Sequence, residues 1–329
     1  MKNKITLRGI RDGAMMTALT VIFMLLTIYV PVFSYVGMFL TGIPLAALYI
    51  RDGLTTAICA TVCSVLIMFA VTGEIFTVLV FAFMYAVPGL VAGICIKKRY
   101  NFFYSIIYTA AAFLAGLIFE LFLVNLFLGG VENMLNELFK GVQLVLEESM
   151  RIIAENNSAL DVKAAAKTLI DTFSYVAKMY FPSILIVSSL LFAYIMYSIA
   201  SVILKKLKLC SVVTIPFYML RAPKSMSTAA ILLYIAGIFM NPESMVSAAF
   251  YNIIFVLYAF LAFCGFSFID FKFKNVVKKG FLRALIYIVL FIFGGMIATL
   301  VIRICIILGI LDSSLNFRRI SAIDEDNNI

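Results

Sequence analysis

The chain has 329 residues, 64 % hydrophobic and 13 % charged, with a mean hydropathy of +1.10. Globular domains carry roughly 45–50 % apolar residues, so the composition excludes a soluble domain and indicates an all-α, polytopic integral membrane helix bundle. The net charge of +9 does not point to nucleic acid, because the positive residues stand in short clusters between apolar runs, as topology signals do.

Nine candidate crossings are expected at 13–33, 36–50, 54–72, 76–96, 103–128, 183–204, 227–241, 246–269 and 284–311. The second and seventh are short, which leaves the count at eight to nine. The first is uncharged and about twenty residues long, enough for a hydrocarbon core of roughly 30 Å. Lys2, Lys4, Arg8 and Arg11 precede it and place the N-terminus in the cytoplasm. It exceeds a signal h-region, lacks a small-x-small exit and is followed by another apolar run, so it reads as a retained helix. Glycine and proline interrupt the second crossing at Gly42-Ile-Pro44 and the fourth at Pro88-Gly89. Such breaks are either ordinary kinks or the discontinuous helices that transporters use for binding.

With the N-terminus inside, eighteen of the 26 Lys and Arg residues fall in inner segments. Lys140, Arg151, Lys163, Lys167, Lys178, Arg318 and Arg319 fall outside, and Arg303 lies within the ninth crossing. Between the fifth and sixth crossings, residues 131–180 carry seven acidic and five basic side chains but keep a helical apolar period, through Leu135, Leu138, Val142, Val145 and Ile152 and then Leu169, Phe173 and Val176. Breaks at Gly129-Gly130 and Asn156-Asn157-Ser158, with Ser158 and Asp161 at capping-box spacing, predict an extracytoplasmic amphipathic helical hairpin. It either lies on the bilayer surface or forms a lid. The segments expected are therefore 1–129, a five-helix membrane region; 130–181, the helical insert; 182–311, the C-terminal membrane helices; and 312–329, a polar tail ending SAIDEDNNI. The basic loop 205–226, with Pro216 and Pro223, is expected at the inner interface.

Two ionisable residues fall well inside crossings, Glu120 in the fifth and Arg303 in the ninth. A mid-helix charge costs ~2.5–3.5 kcal/mol on the insertion scale and normally faces protein or water. Either the two pair in the outer half of the membrane, or Arg303 snorkels to the headgroups and Glu120 borders the interface. Glu74, Asn125 and Asn252, with Asn241 and Glu243, gather at that level and read either as turn formers or as part of an outward-facing ligand site. The six cysteines form no C-x-x-C pair and histidine is absent, so neither a metal site nor a cofactor is expected. One intramembrane carboxylate without histidine argues against an enzyme.

In helix 1, Ala14-Met-Met-Thr-Ala18 sets small residues four apart, which permits close helix contact. With the basic start, the run GAMMTAL and the short Pro-bearing second helix ending ALYIRDG, the first five crossings resemble the S component of energy-coupling-factor vitamin transporters. That resemblance implies Ala14 and Ala18 as docking residues for a membrane coupling subunit driven by ATPases, with substrate bound near the outer surface. The chain departs from that pattern in its soluble insert and about three more crossings. Over its whole length, through IPFYMLRAPK, AFYNIIF and FCGFSFIDFKFK, the chain is similar to the YybS-like predicted membrane protein family of Gram-positive bacteria. The expectation is a multi-pass protein of the bacterial cytoplasmic membrane that binds or transports a small solute from the outer face. No G-x-x-x-x-G-K-[ST] run is present, so partner subunits would supply any ATP energy. The alternative is a scaffold or regulator docking partners through helix 1 or the 130–181 hairpin.

Overall fold

The computed structural model describes residues 7–127, 129–154, 162–210, 214–240, 245–280, 282–283, 285–287 and 297–318. Every regular element among them is helical, and six helices are long and apolar enough to cross a membrane: Leu7–Tyr29, Leu54–Thr72, Ile75–Lys97, Phe102–Phe127, Ser174–Lys206 and Val246–Phe273. The chain divides by packing into two compact units, one of residues 1–178 and 188–214, the other of 179–187 and 215–329.

The first unit opens with α1 (Leu7–Tyr29). Pro31 ends it, because the residue before a proline avoids helical torsions and Val30 is extended. The expected crossing 36–50 is two short helices, α2 (Pro31–Leu40) and α3 (Ile43–Asp52), parted at Thr41-Gly42. Next come α4 (Leu54–Thr72) and a crossing built of α5 (Ile75–Phe81), a π-turn (Ala82–Ala86) and α6 (Val87–Lys97). The unit continues with α7 (Phe102–Phe127), α8 (Val131–Ala154) and most of α9 (Val162–Lys206).

Three contacts organise its core. Val21 and Met24 of α1 meet Met68, Val78 and Phe81, and the Thr17 hydroxyl reaches the Ala60 carbonyl at 3.4 Å. Leu45 and Leu48 of α3 pack with Ala57, Ala60, Ala86 and Leu90. Phe113 of α7 stacks on Phe192 of α9 with centroids 3.8 Å apart. The outward sides of these helices carry exposed Ile22, Leu66, Ile118 and Phe122, as a bundle solvated by lipid does.

One expectation changes along α9. The second hairpin helix and the sixth crossing form one continuous element, with Pro182 inside it. The capping residues Ser158 and Asp161 lie outside the described residues.

The second unit contains α10 (Lys224–Ile238), α11 (Met245–Phe273) and α12 (Ile297–Leu315), with a 3-10 turn at Phe217–Met219. Helices α11 and α12 meet at Gly265 and Gly309. A Cβ added to Gly265 would lie 1.8 Å from the Cys305 carbonyl oxygen, and one on Gly309 would lie 2.1 Å from that of Leu261. Only glycine allows two membrane helices to approach this closely.

Further along both helices, Phe268 and Phe317 are 6.3 Å apart, so α11 and α12 run in the same direction. Between them, Arg283 donates to the Val277 carbonyl at 2.9 Å, and the Tyr287 ring lies 4.7 Å from Phe266. Both Tyr287 and the residues after α12 thus lie beside the last turns of α11, which a single crossing over 284–311 does not allow and hydropathy cannot reveal. Residues 312–318, expected to begin a polar tail, are packed: Asp312 and Arg318 are both buried.

Candidate functional site

The break at Thr41-Gly42 faces the π-turn of the α5–α6 crossing. A Cβ on Gly89 would fall 2.5 Å from the Gly42 Cα, and one on Gly42 would meet the Tyr85 carbonyl at 2.6 Å. Two interrupted stretches of backbone are therefore in direct contact inside the first unit. A π-turn is an inserted residue in a helix and recurs at functional sites. Met196 of α9 closes on Gly42 from the other side, beside Phe192, Met84 and Phe113.

Glu120 belongs to this neighbourhood. Phe113, Gly116, Leu123 and Val124 form the buried stripe of α7, and Glu120 continues it at helical spacing. Ile118 and Phe122, on the opposite side, are 57 % and 60 % exposed. The carboxylate thus faces protein. One turn below it, Gly116 lies against the backbone of Phe83 and Met84, 2.7 Å from the Phe83 carbonyl as judged by an added Cβ. Phe119 packs on Phe83 at 4.1 Å. Tyr85 is half-buried between Phe81 and Phe192, with centroids at 5.0 and 5.9 Å, and Glu120 lies within its electrostatic range. Among the described residues Glu120 enters no ion pair.

The other expected site residues are placed as follows. Glu74 is exposed at the start of α5 and accepts from the Thr77 hydroxyl at 2.8 Å. Asn125 is exposed at the end of α7, its side-chain oxygen 3.0 Å from where a Gly130 Cβ would stand. Phe76 and Phe127, with centroids 6.3 Å apart, bring these two helix ends together. Ala14 and Ala18 are exposed on α1 in line with Ile10 and Ile22. Arg303 and Asn252 belong to the second unit. Arg303 is exposed on α12 between exposed Ile302 and Ile304.

Asn252 has a defined task. Its side-chain oxygen accepts from the Ser183 backbone N–H at 3.2 Å, and its amide nitrogen donates to the Met179 carbonyl at 2.9 Å and the Ala248 carbonyl at 2.8 Å. An unbroken α-helix would join Ser183 N–H to Met179 C=O directly. Pro182 distorts α9 there, and the amide of Asn252 bridges the opened pair.

Sequence reasoning missed the buried ion pairs. In the first unit Asp12 is ion-paired with Arg51, and Arg8 and Arg11 flank it. In the second, Asp270 accepts from Arg283 at 2.6 Å and from the Tyr287 hydroxyl at 2.9 Å. Arg318 donates to Asp312 at 2.7 and 2.9 Å, to the Tyr218 and Leu220 carbonyls at 2.8 Å, and to the Ser267 hydroxyl at 2.9 Å. Arg221 caps the same end of α12 through the Ser313 carbonyl at 2.8 Å. The available signal is an acidic residue beside each basic cluster, masked because such clusters also serve as topology signals.

A family model described as a predicted membrane protein (DUF2232) matches residues 18–313. The chain is similar to the uncharacterized protein YybS of Bacillus subtilis (strain 168), with 24 % identity over 312 residues, covering 94 % of this chain and 97 % of that protein. No solved structure matches the chain.

Proposed function

We propose, for a chain that belongs to the DUF2232 family of predicted membrane proteins, that the first unit binds a small solute where the α2–α3 break meets the π-turn. A single observation carries this reading. Glu120 is the one charged residue of α7, and it lies on the protein-facing stripe, one turn from an interrupted helix. Ionisable residues in membrane spans mark substrate and ion pathways, and broken helices near them supply backbone groups for binding.

The positive-inside rule supports a cytoplasmic N-terminus in a bacterial cytoplasmic membrane, with α8 and the start of α9 outside. Solute would then enter from the outer face, with energy for transport coming from partner subunits. The exposed line of Ile10, Ala14, Ala18 and Ile22 on α1 favours, as a second reading, partner docking of the kind the energy-coupling-factor resemblance implies. A pairing of Glu120 with Arg303 also stays a proposal, decided by whether the charge swap of the two residues rescues the single-mutant defects.

Purification of the full chain in mild detergent tests the assignment. Thermal stabilisation by a solute, lost in Glu120→Gln, supports the site. A specific non-ATPase partner with no stabilising solute would favour the scaffold reading instead. Labelling of a cysteine placed at Glu137 by an impermeant maleimide on intact cells is the expected outcome for the orientation; labelling only after lysis would reverse it.

A further inference from the structure

Resting on that reading, we infer that the solute is a small organic ammonium ion, its charge on the Glu120 carboxylate and its alkyl groups against Tyr85 and the neighbouring rings. The groups around Glu120 are acceptors and aromatic faces: the Tyr85 phenol within its electrostatic range, and the π-turn backbone around Phe83, which Gly116 meets one turn below Glu120. Phe119 on Phe83 and Phe192 beside Tyr85 enrich the surroundings in rings.

Among the described residues of the first unit, no cation forms an ion pair with Glu120. Arg8, Arg11 and Arg51 surround Asp12. Lys97 donates to the Tyr49 carbonyl at 3.0 Å, and Lys140 pairs with Glu137 at 2.9 Å. Lys178 is exposed and forms no ion pair with Glu120. A carboxylate facing protein at membrane depth needs a positive partner, and here the ligand supplies it. A small metal ion wants six or more hard oxygens, whereas one carboxylate with aromatic faces suits the diffuse charge of an alkylammonium.

The test uses the full chain in lipid nanodiscs, monitored by thermal unfolding. Choline, ethanolamine and putrescine are each added at millimolar concentration and compared with sodium chloride of equal ionic strength, with acetate, and with dimethylbutanol, the uncharged isostere of choline. At least one ammonium compound is expected to raise Tm by about 2–4 °C, while sodium, acetate and the isostere leave it unchanged. Glu120→Gln is expected to abolish the shift while keeping its elution volume and helical circular dichroism, and Tyr85→Phe to reduce it.

Stabilisation by the isostere, acetate or sodium equal to that by the ammonium compounds overturns the ligand class and leaves a solute site standing. An ammonium shift that survives in Glu120→Gln overturns the assignment of the carboxylate. Absence of a shift from every compound overturns the ligand class, and the solute-binding reading then stands or falls on the wider search for a stabilising solute.

Discussion

Asn252 gives the sharpest test of how the second unit is built. In Asn252→Ala the Ser183 N–H and the Met179 carbonyl lose their shared partner, and the Ser183 hydroxyl loses its contact at 2.5 Å. Side-chain hydrogen bonds inside membrane proteins average about 0.6 kcal/mol and reach about 1.7 kcal/mol. Leaving a buried backbone group unmet costs ~1–3 kcal/mol. Two orphaned backbone groups, each at the lower end of that range, therefore put the loss at about 2 kcal/mol. Pro182→Ala alone is expected to change little, since the amide still bridges the gap. In the double variant the helix can close its own bond between residues 179 and 183, recovering about 1 kcal/mol. The coupling is then well above the ~0.3–0.5 kcal/mol scatter of independent sites. Unfolding free energies of the four proteins in mixed micelles measure it. Additivity within that scatter, or a loss under about 0.5 kcal/mol for Asn252→Ala, would refute the bridging role.

Three further outcomes are expected. Asp312→Ala strands Arg318, which is 0 % exposed, and should cost about 3–5 kcal/mol in the same unfolding assay, while the paired change Asp312→Leu with Arg318→Met should cost much less. Gly265→Val drives a side chain into the Cys305 carbonyl and should lower Tm sharply. Gly237→Ala, whose nearest neighbour is a Phe250 ring atom at 3.3 Å, should be tolerated. Tyr287→Phe removes one of the hydrogen bonds to Asp270 and should cost about 1 kcal/mol, less than Arg283→Gln, which unpairs the carboxylate.

Hydropathy located most helices closely: 54–72 was expected and α4 is Leu54–Thr72, while 103–128 became α7 at Phe102–Phe127. Glycine and proline marked the α2–α3 break, because their backbone demands are local. What each break touches is not local, and nothing in the sequence joined Gly42 to Gly89. Direction was lost for a similar reason, since an apolar run reads alike in either sense and α12 could not be told from a continuation. Glu120 was singled out because a charge in an apolar helix is visible without a fold. Asp12 and Asp312 were passed over because their partners, Arg51 and Arg318, count in a sequence as loop charges. For Asn252 the sequence leaves a turn former and a ligand group both open, and only its position against Pro182 discloses that its amide is engaged with the α9 backbone.

The shared heading of α11 and α12 fixes where the polypeptide exits the second unit. Arg318 lies beside Ser267 and the Tyr218 carbonyl, and Lys274 rests on the Tyr218 ring, so the exit is at the lysine-rich rim. A fluorescent tag fused after Ile329 should glow from the same compartment as one inserted at Lys278, a parity that a count of eight to nine hydrophobic peaks leaves open.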